Sequence, residues 1–366
     1  MILNRLNILN YKNIADADLR FSPKLNLFVG QNGEGKTNVL DAIYFLSLCK
    51  SYTCHQDAQC IRHGEQMAML QGAYEHEDGT PEEIYLGMRS GQKKILRRNQ
   101  KTYSRLSDHI GLIPVVMVSP VDSLLLSGGS EERRRFMDLV ISQMNRTYMV
   151  HLGAYNTALA SRNAMLKQEQ VDAGLLEIWE QQMADHAGYI YRCREEYVTQ
   201  FVPIFQHFYS TISSDKEHVG LRYESHLAEG DLADMLAQVR QRDHILGYTT
   251  RGIHRDDLAM TLGGYPIRTE GSQGQNKTLL IALKLAQFDF LKRTGSATTP
   301  LLLLDDIFDK LDAERVEQIM HLVASEAFGQ IFVTDTNRAH LDEIVARVTT
   351  DHRLFTVRAG MVSADR

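Results

Sequence analysis

The chemistry of this sequence is most concentrated in Gly30-Gln31-Asn32-Gly33-Glu34-Gly35-Lys36-Thr37. The segment fits G-x-x-x-x-G-K-[ST], a loop whose backbone N–H groups turn toward phosphate oxygens while the following helix adds its positive N-terminal end. In that loop Lys36 is the catalytic candidate that reaches the β- and γ-phosphates of ATP, and the Thr37 hydroxyl is placed to ligate Mg²⁺. The flanks have the required character. Leu25 to Val29 reads as an apolar strand, and Val39, Leu40, Ile43, Leu46 and Leu48 follow on helical spacing.

Such a loop needs an acidic metal partner at the end of a neighbouring strand. Leu301-Leu302-Leu303-Leu304-Asp305-Asp306 supplies one: Asp305 is expected to hold the Mg²⁺, and Asp306 stands where a carboxylate would polarise the attacking water. Many ATPases carry Glu at that place, and the shorter Asp implies slow hydrolysis.

A third segment, Gly271-Ser272-Gln273-Gly274-Gln275-Asn276-Lys277, begins 34 residues before Asp305. It resembles the Ser-x-Gly-Gln signature of ABC-type ATPases. There the signature opens a helix whose N-terminus faces the γ-phosphate of ATP held by a second subunit, a helix dipole set against anionic oxygens. The resemblance implies nucleotide contacts in trans for Ser272, Gln273, Gly274 and Gln275. Asp309 to Asp312 is similar to the D-loop of those ATPases. Thr334-Asp335-Thr336 occupies the place of their γ-phosphate-sensing histidine, which is absent here. Leu126-Ser127-Gly128-Gly129-Ser130 looks more like a transporter signature. It precedes a helical segment with no acidic strand at the right distance, and it reads as a loop before a helix started by Glu131 and Glu132.

The elements that position these residues follow from periodicity. Leu6 to Tyr11 reads as a short strand. From Met67 to Ser104 short alternating runs predict an antiparallel sheet with hairpins, one turning at Arg98-Asn99-Gln100. Ile113 to Val118 is a buried strand ending at Ser119-Pro120. From Glu131 to Gln241 the chain is mostly helical, without a heptad sustained long enough for an extended coiled coil. Strands Leu258 to Leu262 and Tyr265 to Arg268 flank a Gly263-Gly264 turn. Helix Lys277 to Leu291, strand Leu301 to Leu304, helix Ala313 to Ala327, strand Ile331 to Val333 and strand Leu354 to Val357 complete the chain. The expected fold is α/β: an ABC-type ATPase head with a mixed sheet, split into residues 1–130 and 245–366, with 131–244 inserted as a mostly helical second lobe.

Composition narrows the class. With 43% hydrophobic residues and 7 prolines the chain has material for one large or two medium cores, and nothing in it reads as disordered. No run approaches the roughly eighteen apolar residues of a membrane span. The N-terminal Met-Ile-Leu-Asn-Arg lacks the pattern of a secretion signal, so a cytoplasmic protein without a membrane partner is expected. Cys49, Cys54, Cys60 and His63 lack paired C-x-x-C knuckles and read as reduced structural residues. A net charge of −6 argues mildly against nucleic acid but leaves room for local basic surfaces at Arg97, Arg98 and Lys101 and at Arg133 to Arg135.

The order of phosphate loop, long insertion, signature and acidic strand resembles the SMC-like ATPases, and within them the RecF family. The similar segments run from end to end: Asn10-Tyr11-Lys12-Asn13, Gly33-x-Gly35-Lys36-Thr37-Asn38, Lys50-Ser51-Tyr52, Ser119-Pro120 with Asp122, and Arg133-Arg134-Arg135-Phe136-x-Asp138. They continue with Gly252-Ile253-His254-Arg255-Asp256-Asp257-Leu258, Gly271 to Lys277, and Asp305-Asp306-Ile307-Phe308-x-x-Leu311-Asp312. Ile253 stands where Pro is expected, and Asn276-Lys277 where Gln-Arg is expected. The resemblance implies that Gly30, Gln31, Asn32, Gly33, Glu34, Gly35, Lys36, Thr37 and Asn38 together hold ATP. It implies an ATP-dependent homodimer that binds DNA at gaps and single/double-strand junctions, hydrolyses slowly, and works with RecR and RecO to load RecA. A transporter ATPase subunit, a nuclease-fused ATPase and an architectural DNA-binding protein with structural ATP are the competing classes. The long insertion and Ser-Gln-Gly-Gln speak against the first. The second would need a further acidic metal cluster beyond the ATPase core, and after Asp312 only a short tail remains.

Overall fold

Leu3, Leu6, Ile8 and Tyr11 of strand β1 (Ile2–Tyr11) turn inward; the two-residue alternation of a half-buried strand is interrupted by a register shift between Leu3 and Arg5 and again at Asn10, whose φ is 52°. The computed structural model describes residues 1–215, 217–295, 298–308, 311, 313–325, 327–338 and 351–365. They fall into two units, one of Met1–Asp122, Thr211–Ser213 and Gln273–Arg366, the other of Ser123–Ser210 and Ser214–Ser272.

The first unit continues with β2 (Ile14–Arg20), β3 (Leu25–Val29), α1 (Lys36–Leu48), β4 (Met67–Glu75), β5 (Pro81–Arg89), β6 (Ile95–Arg98), β7 (Lys101–Thr102) and β8 (Val115–Val118). Six of these strands form an antiparallel sheet in the order β2-β1-β4-β5-β6-β7. The β6–β7 turn is made by Asn99 and Gln100, both at positive φ, the backbone that a two-residue hairpin demands.

The second unit holds α2 (Leu124–Ser127), α3 (Ser130–Met144), α4 (Arg146–Met165), α5 (Ala173–Ser213, whose last three residues group with the first unit), β9 (Val219–Glu224), α6 (Leu232–Leu246), β10 (Asp257–Leu262), β11 (Tyr265–Pro266) and α7 (Ile267–Glu270). Asn145, Asp172 and Asp231 cap α4, α5 and α6, their side chains accepting backbone N–H groups that the first helical turn leaves without partners. Buried charge organises the interior. Arg162, fully buried on α4, bonds Glu180, Asp243 and Thr249, and Arg194 on α5 bonds Asp138, Asp256 and the Ile253 carbonyl. Each guanidinium is matched by carboxylates, without which burying it would be costly.

The chain returns to the first unit with α8 (Gln273–Thr294), β12 (Leu301–Asp305), α9 (Ala313–Ala324), β13 (Ile331–Asp335), β14 (His352–Arg358) and β15 (Met361–Ala364). The second sheet runs β15-β14-β3-β13-β12-β8, parallel except for β15. Its central strands are continuous apolar runs because both faces are covered. Helices α1 and α8 are buried on nearly all sides, so neither shows a clean polar face. Phe21, Phe28, Phe332 and Phe355 meet edge-on or stacked, with centroids 5.0–6.4 Å apart.

Three expectations are revised. Strand β9 lies within the stretch read as helical; its alternation is short and carries Arg222 and Glu224. The run read as Tyr265 to Arg268 stops at Pro266, which has no N–H for the ladder and sits just before α7. Helix α8 begins four residues earlier than read, at Gln273. Asp309 and Asp312 of the D-loop-like stretch lie outside the described residues.

Candidate nucleotide-binding site

Parallel strands β3, β13, β12 and β8 end on one edge of their sheet, and in such sheets the crevice beyond the carboxyl ends is where ligands bind. The loop Gly30–Gly35 leaves β3 there and runs into α1. Gly33 and Gly35 adopt φ of 83° and 114°, a left-handed backbone that side chains resist. Gly35 is the N-cap of α1 and brings no side-chain cap; its carbonyl accepts the Asn38 and Val39 N–H groups at 3.0 and 3.3 Å, which leaves the amides of Lys36 and Thr37 without a partner from it. Lys36 is 4% exposed, and its Nζ donates to the Gly30 and Gln31 carbonyls at 2.8 and 3.2 Å, an ammonium folded into its own loop. Open amides, a helix N-terminus and a confined lysine fit a polyphosphate.

Thr37 follows Lys36 on α1. Its Oγ1 lies 2.9 Å from both carboxylate oxygens of Asp305, the last residue of β12. Two further hydroxyls converge on this nearly buried carboxylate: Thr334 Oγ1 donates at 2.8 Å from the end of β13, and Ser119 Oγ at 3.4 Å from the residue after β8. Burial raises the Asp305 pKa above its ordinary value, and the bonds from Thr334 and Thr37 and the charge of Lys36 pull it back. A carboxylate ringed by hydroxyls is an all-oxygen donor set, which suits a hard cation such as Mg²⁺.

Asp306 has φ of 47° and donates its N–H to Thr334 Oγ1 at 3.1 Å. Desolvation raises its pKa, Lys36 opposes the rise, Asp305 and Asp335 add to it, and Lys277 opposes it again. A carboxylate of raised proton affinity beside the metal-type cluster has the character of a general base.

The signature-like residues sit elsewhere along the chain. Ser272 immediately precedes α8, and Gln273, Gly274 and Gln275 form its first turn. The Lys277 charge acts on Asp306, and Thr278 donates to the Gly274 carbonyl at 2.9 Å while accepting Arg315 at 2.6 Å. A Cβ built on Gly274 would meet nothing closer than 3.9 Å, so its own chain does not demand glycine there.

Sequence reasoning gave no site role to Ser119, and Thr334 was read only as filling a histidine's place. Each is a small hydroxyl residue following the apolar run of a strand, Thr334 within β13 and Ser119 just after β8, and what singles it out is which strand lies beside β12. Ser119 is itself pinned: its N–H donates to Asp122 at 2.8 Å, and Asp122 also binds Lys284 of α8 at 2.6 Å and the Tyr52 hydroxyl.

Four of the candidate basic residues are engaged within their own units, and Arg97 lies over the Tyr85 ring. Arg133 pairs two-fold with Asp257 at 2.6 and 2.9 Å, Arg134 donates to the Asp256 carbonyl, Arg135 pairs with Glu131 and Glu132, and Arg98 with Glu82. Asp256 and Asp257 are thus bound by arginines, and His254 is held between Tyr155 and the Thr249 carbonyl. All four cysteines are free, and among the described residues no three His, Cys, Asp or Glu side chains gather as a metal-holding group. Among the same residues no helix is long and apolar enough to cross a membrane.

Comparisons with known proteins agree with this geometry. The family model for the RecF/RecN/SMC N terminal domain matches residues 2–361. The chain is 60% identical over 364 residues to the DNA replication and repair protein RecF of Bacteroides fragilis, covering 99% of this chain and 98% of that one. It is 52% identical over 363 residues to the RecF of Porphyromonas gingivalis, covering 99% and 100%. Among solved structures, a recombination mediator protein RecF bound to ATP in the RecFOR pathway matches with a TM-score of 0.87 at 26% identity, over 100% of this chain and 98% of that one. An Smc head domain from Pyrococcus furiosus matches in fold, with a TM-score of 0.60 at 16% identity over 100% and 96%. The chain belongs to the RecF family, within the RecF/RecN/SMC group of ABC-type ATPase heads.

Proposed function

We propose that the chain is an ATP-dependent DNA-binding protein of recombinational repair and replication-fork maintenance, a slow, DNA-stimulated ATPase that clamps DNA as an ATP-driven homodimer. The observation that carries the reading is the approach of Thr37 Oγ1 to both oxygens of Asp305, which joins the phosphate loop to an acidic strand end. In this reading the nucleotide residues divide between 1–130 and 245–366, and 131–244 form the helical second lobe.

Bound MgATP supplies a polyphosphate whose charge the site must neutralise and a cation that shares it. The segment Gly30 through Asn38, with the Lys36 ammonium, receives the phosphate oxygens. Thr37 and Asp305 hold the cation, and Asp306 orients a water and accepts its proton. Ser272, Gln273, Gly274 and Gln275 complete the site on a second copy. The open space at Gly274 supports that assignment, because a residue glycine-free to its own chain gains a reason for glycine when a partner's nucleotide comes close. Closure of two such sites would draw on the binding energy of both nucleotides.

The partners in this reading are gapped or junction-containing DNA and proteins like RecR and RecO that load RecA, in the cytoplasm; the relatives named for replication, repair and the RecFOR pathway support it. The test is a titration of a gapped duplex with and without MgATP, following mass by light scattering. A two-subunit complex that needs ATP and is lost in Ser272→Arg supports the clamp. DNA binding indifferent to ATP contradicts it.

A further inference from the structure

The last hairpin of the chain, β14–β15, reaches the phosphate loop. Strand β14 pairs in parallel with β3, Thr356 opposite Val29, so the β14–β15 turn emerges beside the loop that β3 feeds. Arg358 pairs with Met361, leaving Ala359 and Gly360 as a two-residue turn with φ of 49° and 79°. Such turns take positive φ at both positions and favour Asn or Gly, so Ala359 is held against its preference. Both turn amides are spent on one residue of the loop. Ala359 N–H donates to the Glu34 carboxylate, and Gly360 N–H donates to the Glu34 carbonyl at 2.9 Å.

The β1–β2 turn adds a second wall. Asn13 donates from its side chain to the same Glu34 carbonyl at 3.0 Å and accepts from Asn38 at 2.7 Å. Glycines mark how closely the three pieces approach. A Cβ on Gly35 would lie 2.7 Å from Asn13 Oδ1, one on Gly360 would fall on the Asn13 carbonyl oxygen, and one on Gly30 on the Val357 carbonyl oxygen. Glu34 is also the one acidic residue in a loop whose amides receive anions, and its bond to Ala359 directs that charge toward the hairpin turn.

We propose that the Ala359-Gly360 turn is a positioning element of the phosphate loop, with Glu34 as the residue it grips and Asn13 as its counterpart. By fixing the Glu34 backbone and drawing its carboxylate aside, the turn sets the loop amides for phosphate before nucleotide arrives. This rests on reading the loop as a nucleotide site, and it assigns to the C-terminal hairpin a part in binding that its distance in sequence conceals.

The sign of one substitution separates positioning from simple repulsion. A carboxylate that merely faced phosphate would, on removal, leave nucleotide bound more tightly. A carboxylate that holds the loop would, on removal, leave it bound more weakly, by about tenfold for one charge-assisted hydrogen bond. The experiment measures equilibrium binding of a fluorescent ATP analogue to the full chain and to Glu34→Ala, Glu34→Gln, Gly360→Ala and Lys36→Ala. Hydrogen exchange at residues 30–36 is followed without nucleotide, and melting temperatures check the fold. Weaker binding and faster loop exchange in Glu34→Ala and Gly360→Ala, with Glu34→Gln near wild type because its amide oxygen still accepts from Ala359, support the proposal. Unchanged or tighter binding in Glu34→Ala, or unchanged loop exchange, overturns it. Failure of the nucleotide reading looks different: wild type and Lys36→Ala bind alike, while the exchange comparison still decides whether the turn orders the loop.

Discussion

Thr37 Oγ1 stands 2.9 Å from each carboxylate oxygen of Asp305, a residue 268 positions further along the chain. The contact closes the space between β3 and β12, strands separated in the sheet by β13, and Thr334 at the end of β13 completes it. Asp305→Asn keeps the shape but removes the charge that would attract a divalent cation. Nucleotide binding in this variant should lose most of its Mg²⁺ enhancement, while binding without metal stays within a few-fold of wild type. Titrating Mg²⁺ against a fluorescent ATP analogue measures it, and an undiminished Mg²⁺ effect would remove Asp305 from the cation site.

Asp306 is suited to a different substitution. Its left-handed backbone is one that Asn adopts readily, so Asp306→Asn should fold normally. Loss of a positioned general base should slow hydrolysis by about a hundredfold or more. As the proton acceptor Asp306 must be ionised, so the wild-type rate should fall with acid as it protonates. The residual rate of the variant should lack that acid limb. Steady-state hydrolysis measured across pH tests both parts, and an identical limb in the variant would assign it to another group.

The second unit carries its own pH dependence through His254. Desolvation, aided by the charges of Arg255, Arg134 and His226 and opposed by the Thr249 carbonyl, lowers its pKa to about 4. In the neutral ring that this favours, Nε2–H donates to the Thr249 carbonyl at 3.1 Å and Nδ1 accepts from the Tyr155 hydroxyl at 2.8 Å. The folded value lies below the unfolded one near 6.5, so as pH falls the unfolded chain binds the proton first. Stability is therefore lost between pH 6.5 and about 4. The full shift corresponds to about 3 kcal/mol. Urea denaturation at pH 7 and pH 4.5 should show a smaller pH effect in His254→Gln than in wild type; equal effects would place the titration elsewhere.

The phosphate-loop pattern and the acidic strand end were legible as segments because each is contiguous, whereas the start of α8 was read four residues late, at Lys277 instead of Gln273. Ser119 and Thr334 were not, since a hydroxyl after an apolar strand means nothing until the order β3-β13-β12-β8 puts it beside Asp305. The same holds for Ala359 and Gly360, which meet Glu34 across 325 residues or more. Strand β9 escaped notice because its inward residues, Val219 and Leu221, are too few to shift the periodicity of their helical surroundings. The pairing of Arg133 with Asp257, and the bridging of Asp138 and Asp256 by Arg194, join segments that resembled the family without revealing what they do.

The central claim is that each nucleotide site takes its phosphate loop from one subunit and its signature from the other. Mixing two inactive variants tests it most directly. Lys36→Ala disables the phosphate loop and keeps the signature; Ser272→Arg does the reverse. In an equal mixture only the mixed dimer holds a complete site, one of its two, so hydrolysis should recover to between about a quarter of the wild-type rate, for random pairing, and about half, where only mixed dimers form. A mixture no more active than the two variants measured apart would contradict the shared site.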